Sequence, residues 1–165
     1  MRFLGAMLLM LVSAYTGFYA GGIVKKRCDA IRECVSLVQW FSSSIAYADE
    51  PLSGIIRGAV SSGEFKQLTF LQGVVESDLD LGFSQVWNSA IDEQKALDSK
   101  VSVLLKSFGA KLGRSDANDQ LELCAYYKKE FERLLAFAMQ KQNEQIKLYR
   151  ITGSAIGAML FIIFV

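Results

Sequence analysis

The two ends of the chain are apolar and uncharged, whereas the middle carries nearly all of the charge. Phe3 to Val24 is a run of 22 uncharged residues, and Ile151 to Val165 is a second run of 15. As a helix the first run spans roughly 33 Å, enough to cross a bilayer core. The second spans roughly 22 Å, which flanking basic side chains and local bilayer thinning can accommodate. The ends therefore predict two transmembrane anchors, at residues 1–24 and 151–165. A cleaved signal peptide is the alternative for the first run, although its apolar stretch would then be very short.

Basic residues flank both predicted anchors on the side of the middle region. They are Lys25, Lys26, Arg27, Lys147 and Arg150. Only Arg2 lies on the far side of the first anchor. The positive-inside rule then places residues 25–150 in the cytoplasm. The chain's three cysteines form no CxxC pair, and their odd number also favours a reducing compartment.

The middle region, residues 25–150, is predicted to be helical. It contains the single proline of the chain and shows no clean alternation of apolar and polar residues. Apolar residues recur instead at helical spacing. The predicted faces are Ile31, Cys34, Val35, Val38, Phe41 and Ile45; Leu52, Ile55, Ile56, Ala59 and Val60; Phe65, Leu68, Leu71 and Val75; Phe83, Val86, Trp87, Ala90 and Ile91; Leu97, Val101, Leu104, Leu105 and Phe108; and Leu121, Cys124, Phe131, Leu134, Leu135 and Ala138. The fold class is therefore all-α: an antiparallel bundle of about six helices, the first and last of which run into the anchors.

Local signals predict where some of these helices begin and end. The first helix is expected to run to about Ala48, and Pro51 is expected at the first position of the second helix. Ser61 and Glu64 have the spacing of a capping box for the third helix. The last helix is expected to begin at about Ala117 and to enter the membrane without a break.

Composition argues against several kinds of site. The chain has no histidine, and a zinc site built from Cys28, Cys34, Cys124 and carboxylates is therefore not expected. We predict that these cysteines are buried thiols. Apart from Arg2, residues 25–150 hold all the charge, with 17 basic residues against 17 acidic ones, so no basic face for nucleic acid is indicated. No spacing singles out a catalytic pair, and we predict no enzyme, no cofactor and no metal.

The stretch from Leu104 to Gln120, LLKSFGAKLGRSDANDQ, is a near match to a phosphate-binding loop. Its glycines, Gly109 and Gly113, are one residue too close for that motif, and Arg114 stands where lysine is required. A link between two helices accounts for the same residues. Gly109 or Gly113 would end one helix at positive φ, and Ser115 or Asp116 would cap the next.

Two stretches resemble signatures of the stage III sporulation protein AB family of endospore-forming bacteria. SFGAKLGRSDANDQ is similar to that family's FGxxLGxSDxxxQ pattern, through Phe108, Gly109, Leu112, Gly113, Ser115, Asp116 and Gln120. SIAYADEPL is similar to its EIxYGxxPL pattern, through Ile45, Tyr47, Pro51 and Leu52. Ser44 and Ala48 depart from the usual Glu and Gly of the second pattern. The first motif is interpreted as a helix link and a candidate partner contact.

The resemblance implies a function that the residues alone do not. The family's cytoplasmic domain is similar to the helical domain of the inner-membrane platform protein of type II secretion and type IV pilus machines. The expected role is a non-enzymatic platform in a channel apparatus, in the mother-cell membrane around the forespore. The expected partners are a secretion-type ATPase similar to stage III sporulation protein AA, other channel components and membrane lipid, with a homo-oligomer left open. A membrane-tethered sensor or regulator and a secreted helical protein are the alternatives.

Overall fold

The computed structural model describes residues 2–47, 50–77, 82–94 and 97–164, with side chains described from 25 to 144 within those ranges. Over these residues the chain forms six helices and no strand, which confirms the all-α class. In order they are α1 Arg2–Tyr47, α2 Leu52–Ser62, α3 Phe70–Glu76, α4 Phe83–Glu93, α5 Ser99–Gly109 and α6 Ala117–Phe164. The chain divides into two compact units, one of Met1–Lys26 with Phe137–Val165 and one of Arg27–Ala136.

An aromatic cluster forms the centre of the unit Arg27–Ala136. The indole of Trp87 on α4 is fully buried, and its centroid lies 5.0 Å from that of Phe70 and 6.3 Å from that of Phe41, both nearly edge-on. Phe108 on α5 continues the cluster, 5.7 Å from Phe41 and 5.2 Å from Tyr127 on α6. The edge-to-face pairs of Trp87 with Phe70 and Phe41, and of Phe41 with Phe108, add about 0.5–1.5 kcal/mol each beyond burial of their area. The cluster thus connects α1, α3, α4, α5 and α6 through their rings.

The ends of α1 and α2 follow local signals with one correction. α1 is helical to Tyr47, and residue 48, where its end was predicted, lies outside the described residues. Pro51 is not the first helical residue as predicted but the N-cap of α2, with an extended ψ of 151°. Gly63 ends α2 in the left-handed region, at φ 68°, which glycine adopts without a Cβ penalty.

The third helix is shorter than its apolar pattern predicted. It begins only at Phe70, so Phe65 and Leu68 are buried in a non-helical segment before it. Val75, predicted to face the core, is 37% exposed. The predicted capping box does not form, because the Oγ of Ser62 accepts from the N–H of Glu64 while it donates to the carbonyl of Ala59.

Two side chains that are distant in the sequence hydrogen-bond to the backbone of this segment, residues 64–69, and of Phe70, which follows it. A carboxylate oxygen of Glu33 on α1 accepts from the N–H of Gln67 at 2.7 Å. The amide of Gln94, just after α4, accepts from the N–H of Phe70 at 2.9 Å and donates to the carbonyl of Gln67 at 2.6 Å. A segment whose apolar side chains are buried can remain non-helical when its backbone groups are satisfied in this way. Burial raises the pKa of Glu33, and the hydrogen bonds from the segment partly oppose that shift.

The fourth and fifth helices are separate. Of the predicted fourth face, Val86, Trp87, Ala90 and Ile91 of α4 are buried, and Phe83 is half-buried. Asp98 then caps α5 by accepting from the N–H of Lys100 at 3.0 Å. Leu97, predicted on the fifth helix, therefore lies before its first turn.

α6 is one continuous helix from Ala117 to Phe164, as the absence of a breaker predicted. The predicted anchors, residues 1–24 and 151–165, lie where the side chains are not described. Within the residues that the structure describes, no helix is both long enough and apolar enough to span a bilayer. Membrane crossing and the domain boundaries at 24/25 and 150/151 stay predictions.

Candidate interaction surface

The link between α5 and α6 uses its two glycines for different purposes. Gly113 has φ 71° and makes the left-handed turn that glycine accommodates best. Gly109 is the last residue of α5 and lies directly beneath the indole of Trp87. A Cβ on Gly109 would be 2.2 Å from Cδ1 and 2.3 Å from Nε1 of that ring. α5 ends at Gly109 and its C-cap is Ala110, at φ −63°, so neither glycine stops the helix at positive φ as predicted. Gly113 makes the left-handed turn inside the link, whereas Gly109 permits close approach of a tryptophan from α4.

The start of α6 is capped by Asp116. Its Oδ1 accepts a hydrogen bond from the N–H of Asp119 at 2.9 Å, the arrangement of an N-cap side chain. Asp119 lies in the first turn, where a negative charge suits the helix dipole. Ser115, the alternative cap, instead accepts from the amide of Gln120 at 2.8 Å. Of the two cap residues that the sequence allowed, the structure selects Asp116.

Gln120 holds the link together from within. It is 5% exposed and is the one buried polar residue among the described side chains. Its Oε1 accepts from the N–H of Gly113 at 3.1 Å, and its Nε2 donates to the carbonyl of Lys111 at 3.3 Å as well as to Ser115. The amide thus satisfies backbone groups of the turn that would otherwise lack partners.

The remaining motif residues on this link, Phe108 and Leu112, are buried apolar side chains. All seven residues of the motif therefore have an intramolecular contact or backbone geometry that accounts for their identity. A structural role is sufficient for them, and their direct contact with a partner stays a prediction.

The second motif lies at the same end of the bundle as this link. A Cβ on Gly113 would be 3.8 Å from Cδ2 of Leu52, so the start of α2 packs near the turn. Tyr47, at the end of α1, is 91% exposed, and Ile45 is half-buried. Pro51 caps α2 as described above. The structure brings the two motifs together although about sixty residues separate them.

The predicted membrane-flanking basic residues differ in their surroundings. Lys25 and Lys26 are exposed. Arg27 forms an ion pair with Asp98, in which 2.5 Å separates Nη2 of the arginine from Oδ2 of the aspartate. The charge of Arg27 is therefore partly neutralised by Asp98, the N-cap residue of α5. The side chains of Lys147 and Arg150 lie outside those the structure describes.

The buried thiols are poor nucleophiles. Cys28, Cys34 and Cys124 are all buried, as predicted. Burial raises the pKa of Cys34, and it raises that of Cys124 to about 11, because a thiolate would lose its hydration there. These two thiols are therefore protonated at neutral pH. No group of three or more metal-ligating side chains occurs in the described part of the chain.

A groove of about 560 Å³ runs beside the link and along the first turns of α6. It is lined by Lys111, Arg114, Ser115, Asp119, Glu122, Leu123 and Tyr126. Sequence reasoning did not identify it, because exposed charged residues on a loop and on a helix face carry no periodic signal. A smaller groove of about 300 Å³, which Arg114 also lines, is bounded by Gly82, Phe83, Ser84, Gln85, Gly109 and Leu112.

Comparison with known proteins gives one match, to a protein family. The family sequence model described as stage III sporulation protein AB aligns with residues 2–165. No curated protein and no solved structure matches the chain. Because the match spans both compact units and nearly every residue, the chain belongs to the stage III sporulation protein AB family.

Proposed function

We propose that the protein is a non-enzymatic platform of a secretion-like channel apparatus between mother cell and forespore, where its helical unit docks a cytoplasmic secretion-type ATPase. The observation that carries the proposal is membership of a sporulation family over residues 2–165. The ATPase expected as partner is similar to stage III sporulation protein AA. Other channel components and membrane lipid complete the set of partners, and self-association is compatible with the role.

The packing of the unit Arg27–Ala136 supports a scaffolding role. Its core is continuous from α1 to α6 through the rings around Trp87, so the exposed surface is carried on a rigid body. Two of its thiols are held protonated by burial. Its exposed residues include charged side chains along an open groove. Such a body presents a fixed surface to a partner, which is what docking requires.

We place the protein in the mother-cell membrane around the forespore, with residues 25–150 in the cytoplasm. Three basic residues directly follow the first apolar run and two precede the second, and this distribution supports the placement. Alkaline phosphatase, which is active only after export, tests the placement when fused after residue 27 or 146. Both fusions should be inactive, and activity at either point would contradict the cytoplasmic placement.

Deletion of the gene tests the sporulation role. Cells lacking it should form engulfed forespores that arrest, whereas a normal yield of spores would remove the proposed function. Binding of the purified ATPase to the full-length protein then separates a platform from a membrane-tethered regulator. A regulator without a secretion role predicts no binding, and a platform predicts a complex that can be isolated.

A further inference from the structure

Charge is segregated along the part of the sequence that runs from α3 to the α5–α6 link. Residues 67–94 contain five acidic residues and no basic one. Residues 99–115 contain four basic residues and no acidic one. The first range holds α3 and α4, and the second holds α5 and most of the link. The unit Arg27–Ala136 therefore carries an acidic and a basic surface on different helices, although the middle region as a whole is neutral.

The acidic surface includes a groove of about 350 Å³ between α3 and α4, which we call the acidic groove. Glu76, the last residue of α3, and Glu93, the last residue of α4, both line it. The two helices are antiparallel, because the N–H of Phe70 at the start of α3 donates to the amide of Gln94 after α4. The two carboxylates therefore lie toward opposite ends of the groove.

The acidic groove carries one sign of charge above an apolar floor. Within the residues that the structure describes, no basic side chain lines it, and neither Glu76 nor Glu93 forms an ion pair. Glu76 accepts a hydrogen bond from the amide of Gln72 at 3.0 Å, which leaves its charge uncompensated. Val86 and Ala90 of α4 form the floor. The groove therefore favours an occupant that presents basic side chains on both sides of an apolar one.

α5 presents side chains in this order. Lys100, Val103, Ser107 and Lys111 follow one another at spacings of three and four residues, so they lie along one side of α5 and of the turn that continues it. We call these four residues the basic stripe. Val103 is 68% exposed, more than any other large aliphatic side chain that the structure describes. The stripe therefore has an exposed apolar residue between two lysines.

The basic stripe is directed away from its own unit at Val103. On one side of this residue, the ammonium of Lys106 pairs with Asp92 of α4. On the other side, the hydroxyl of Ser107 is hydrogen-bonded to that of Tyr127 on α6 at 2.7 Å. α4 contacts both α3 and α5, so it separates the stripe from the acidic groove. The stripe and the groove can therefore meet only when they belong to different copies of the chain.

We propose that the basic stripe of one copy docks in the acidic groove of a second copy. Lys100 and Lys111 bind the carboxylates at the two ends of the groove, and Val103 covers its floor. The stripe extends over roughly 16 Å, and the flexible lysine side chains adjust to the spacing of the carboxylates. Because the two faces differ, the contact is head-to-tail, and its repetition gives a closed ring or an open filament. The inference is independent of the ATPase, since it concerns this chain alone.

Sedimentation velocity of the full-length protein in detergent, over a series of concentrations, tests the pairing. The groove variant carries Glu76→Lys and Glu93→Lys, and the stripe variant carries Lys100→Glu and Lys111→Glu. The unchanged protein should form oligomers. Each variant alone should associate at least about tenfold more weakly, because like charges then face each other across the contact.

A mixture of the two variants tests the head-to-tail geometry. The groove variant keeps an intact stripe, and the stripe variant keeps an intact groove. An equimolar mixture should therefore form dimers that grow no further. A chain that carries all four substitutions should recover larger oligomers, since its charges are complementary again.

The control variant carries Arg57→Glu and Glu132→Lys, which reverse exposed charges outside both faces. It should associate as the unchanged protein does. An unchanged protein that is monomeric at every concentration would overturn the inference. Groove and stripe variants that associate like the control, or a mixture without dimers, would overturn it as well. Because the four substituted side chains are exposed, thermal melts should be unaltered. Glutamine at the same positions replaces any substitution that lowers the Tm.

Discussion

Replacing Gly109 by alanine places a methyl group where the indole of Trp87 already lies. The added Cβ would be 2.2 Å from Cδ1 and 2.7 Å from Cγ of the ring, well inside van der Waals contact. The ring has little room to move away, because Trp87 is fully buried and contacts Phe41, Phe70 and Phe83. A shift of the ring would also lengthen the 2.8 Å hydrogen bond from its Nε1 to the carbonyl of Leu105.

The expected loss of stability follows from these contacts. Overpacking a rigid core costs about 1–3 kcal/mol. Leaving the buried indole N–H without its acceptor costs about 1–3 kcal/mol more. The higher helix propensity of alanine returns roughly 0.5–1 kcal/mol. The net expectation is a free energy of unfolding lowered by about 1–5 kcal/mol, and at roughly 4 °C per kcal/mol a Tm lowered by roughly 4–20 °C.

Thermal unfolding of the full-length protein in detergent, followed by circular dichroism, measures the effect. Gly73→Ala on α3 is the control, because a Cβ at Gly73 would lie 3.6 Å from the Cβ of Ala90, an ordinary contact. That variant should be neutral or stabilised by up to about 1 kcal/mol. Replacement of glycine by alanine should therefore lower the free energy of unfolding at position 109 and leave it unchanged or raised at position 73.

A double-mutant cycle with Trp87→Leu tests the cause as well as the size. If the indole is responsible, Gly109→Ala should cost at least about 1 kcal/mol less in the Trp87→Leu background than in the natural one. An equal cost in both backgrounds would refute the steric explanation. A Gly109→Ala protein that melts within about 2 °C of the unchanged one would refute the packing itself.

Three further predictions concern the cap, a carboxylate and a thiol. Asp116→Ala should lower the free energy of unfolding by about 1 kcal/mol, measured by urea denaturation, because the N–H of Asp119 loses its acceptor; no change would mean that the cap contributes nothing. Glu33→Ala should destabilise the fold more than Glu33→Gln, which keeps an acceptor for the N–H of Gln67. The raised pKa of Glu33 means that the folded state binds its proton more tightly, so the stability gained by protonation is present below the ordinary pKa of 4.5 and lost as pH rises through the folded value. Melts between pH 4 and 7 should therefore show the unchanged protein losing stability relative to Glu33→Gln, and a parallel pH dependence would contradict this. Cys124, whose pKa burial raises to about 11, should react with a disulfide reagent at pH 8 only as fast as the protein opens, and reaction at the rate of a free thiol would contradict its burial.

Local patterns predicted much of the helical architecture. The spacing of Phe83 to Ile91 located α4, and the absence of a breaker after Ala117 predicted the continuous α6. These predictions succeed because helical periodicity and caps depend on residues within one or two turns. The seven residues of the link motif were also identified, and the structure places all of them at the α5–α6 turn. The groove beside them was missed, since its walls are exposed residues whose proximity depends on how the link folds back on α6.

By itself the sequence determined the all-α class, the positions of most helices and the family. Only the tertiary structure decided which atoms Gly109, Gln120, Glu33 and Gln94 contact. Gly109 is small because of Trp87, which lies 22 positions earlier, and Gln120 is buried because the turn before it presents unsatisfied backbone groups. Glu33 and Gln94 hydrogen-bond to the backbone of Gln67, and Gln94 also to that of Phe70. Residues 64–69 therefore stay non-helical. The contacts of Gly109 with Trp87 and of Gln67 with Glu33 join residues beyond the reach of helical periodicity, and those of Gln120 depend on how the link turns, because steric exclusion and hydrogen-bond satisfaction act through space rather than along the chain.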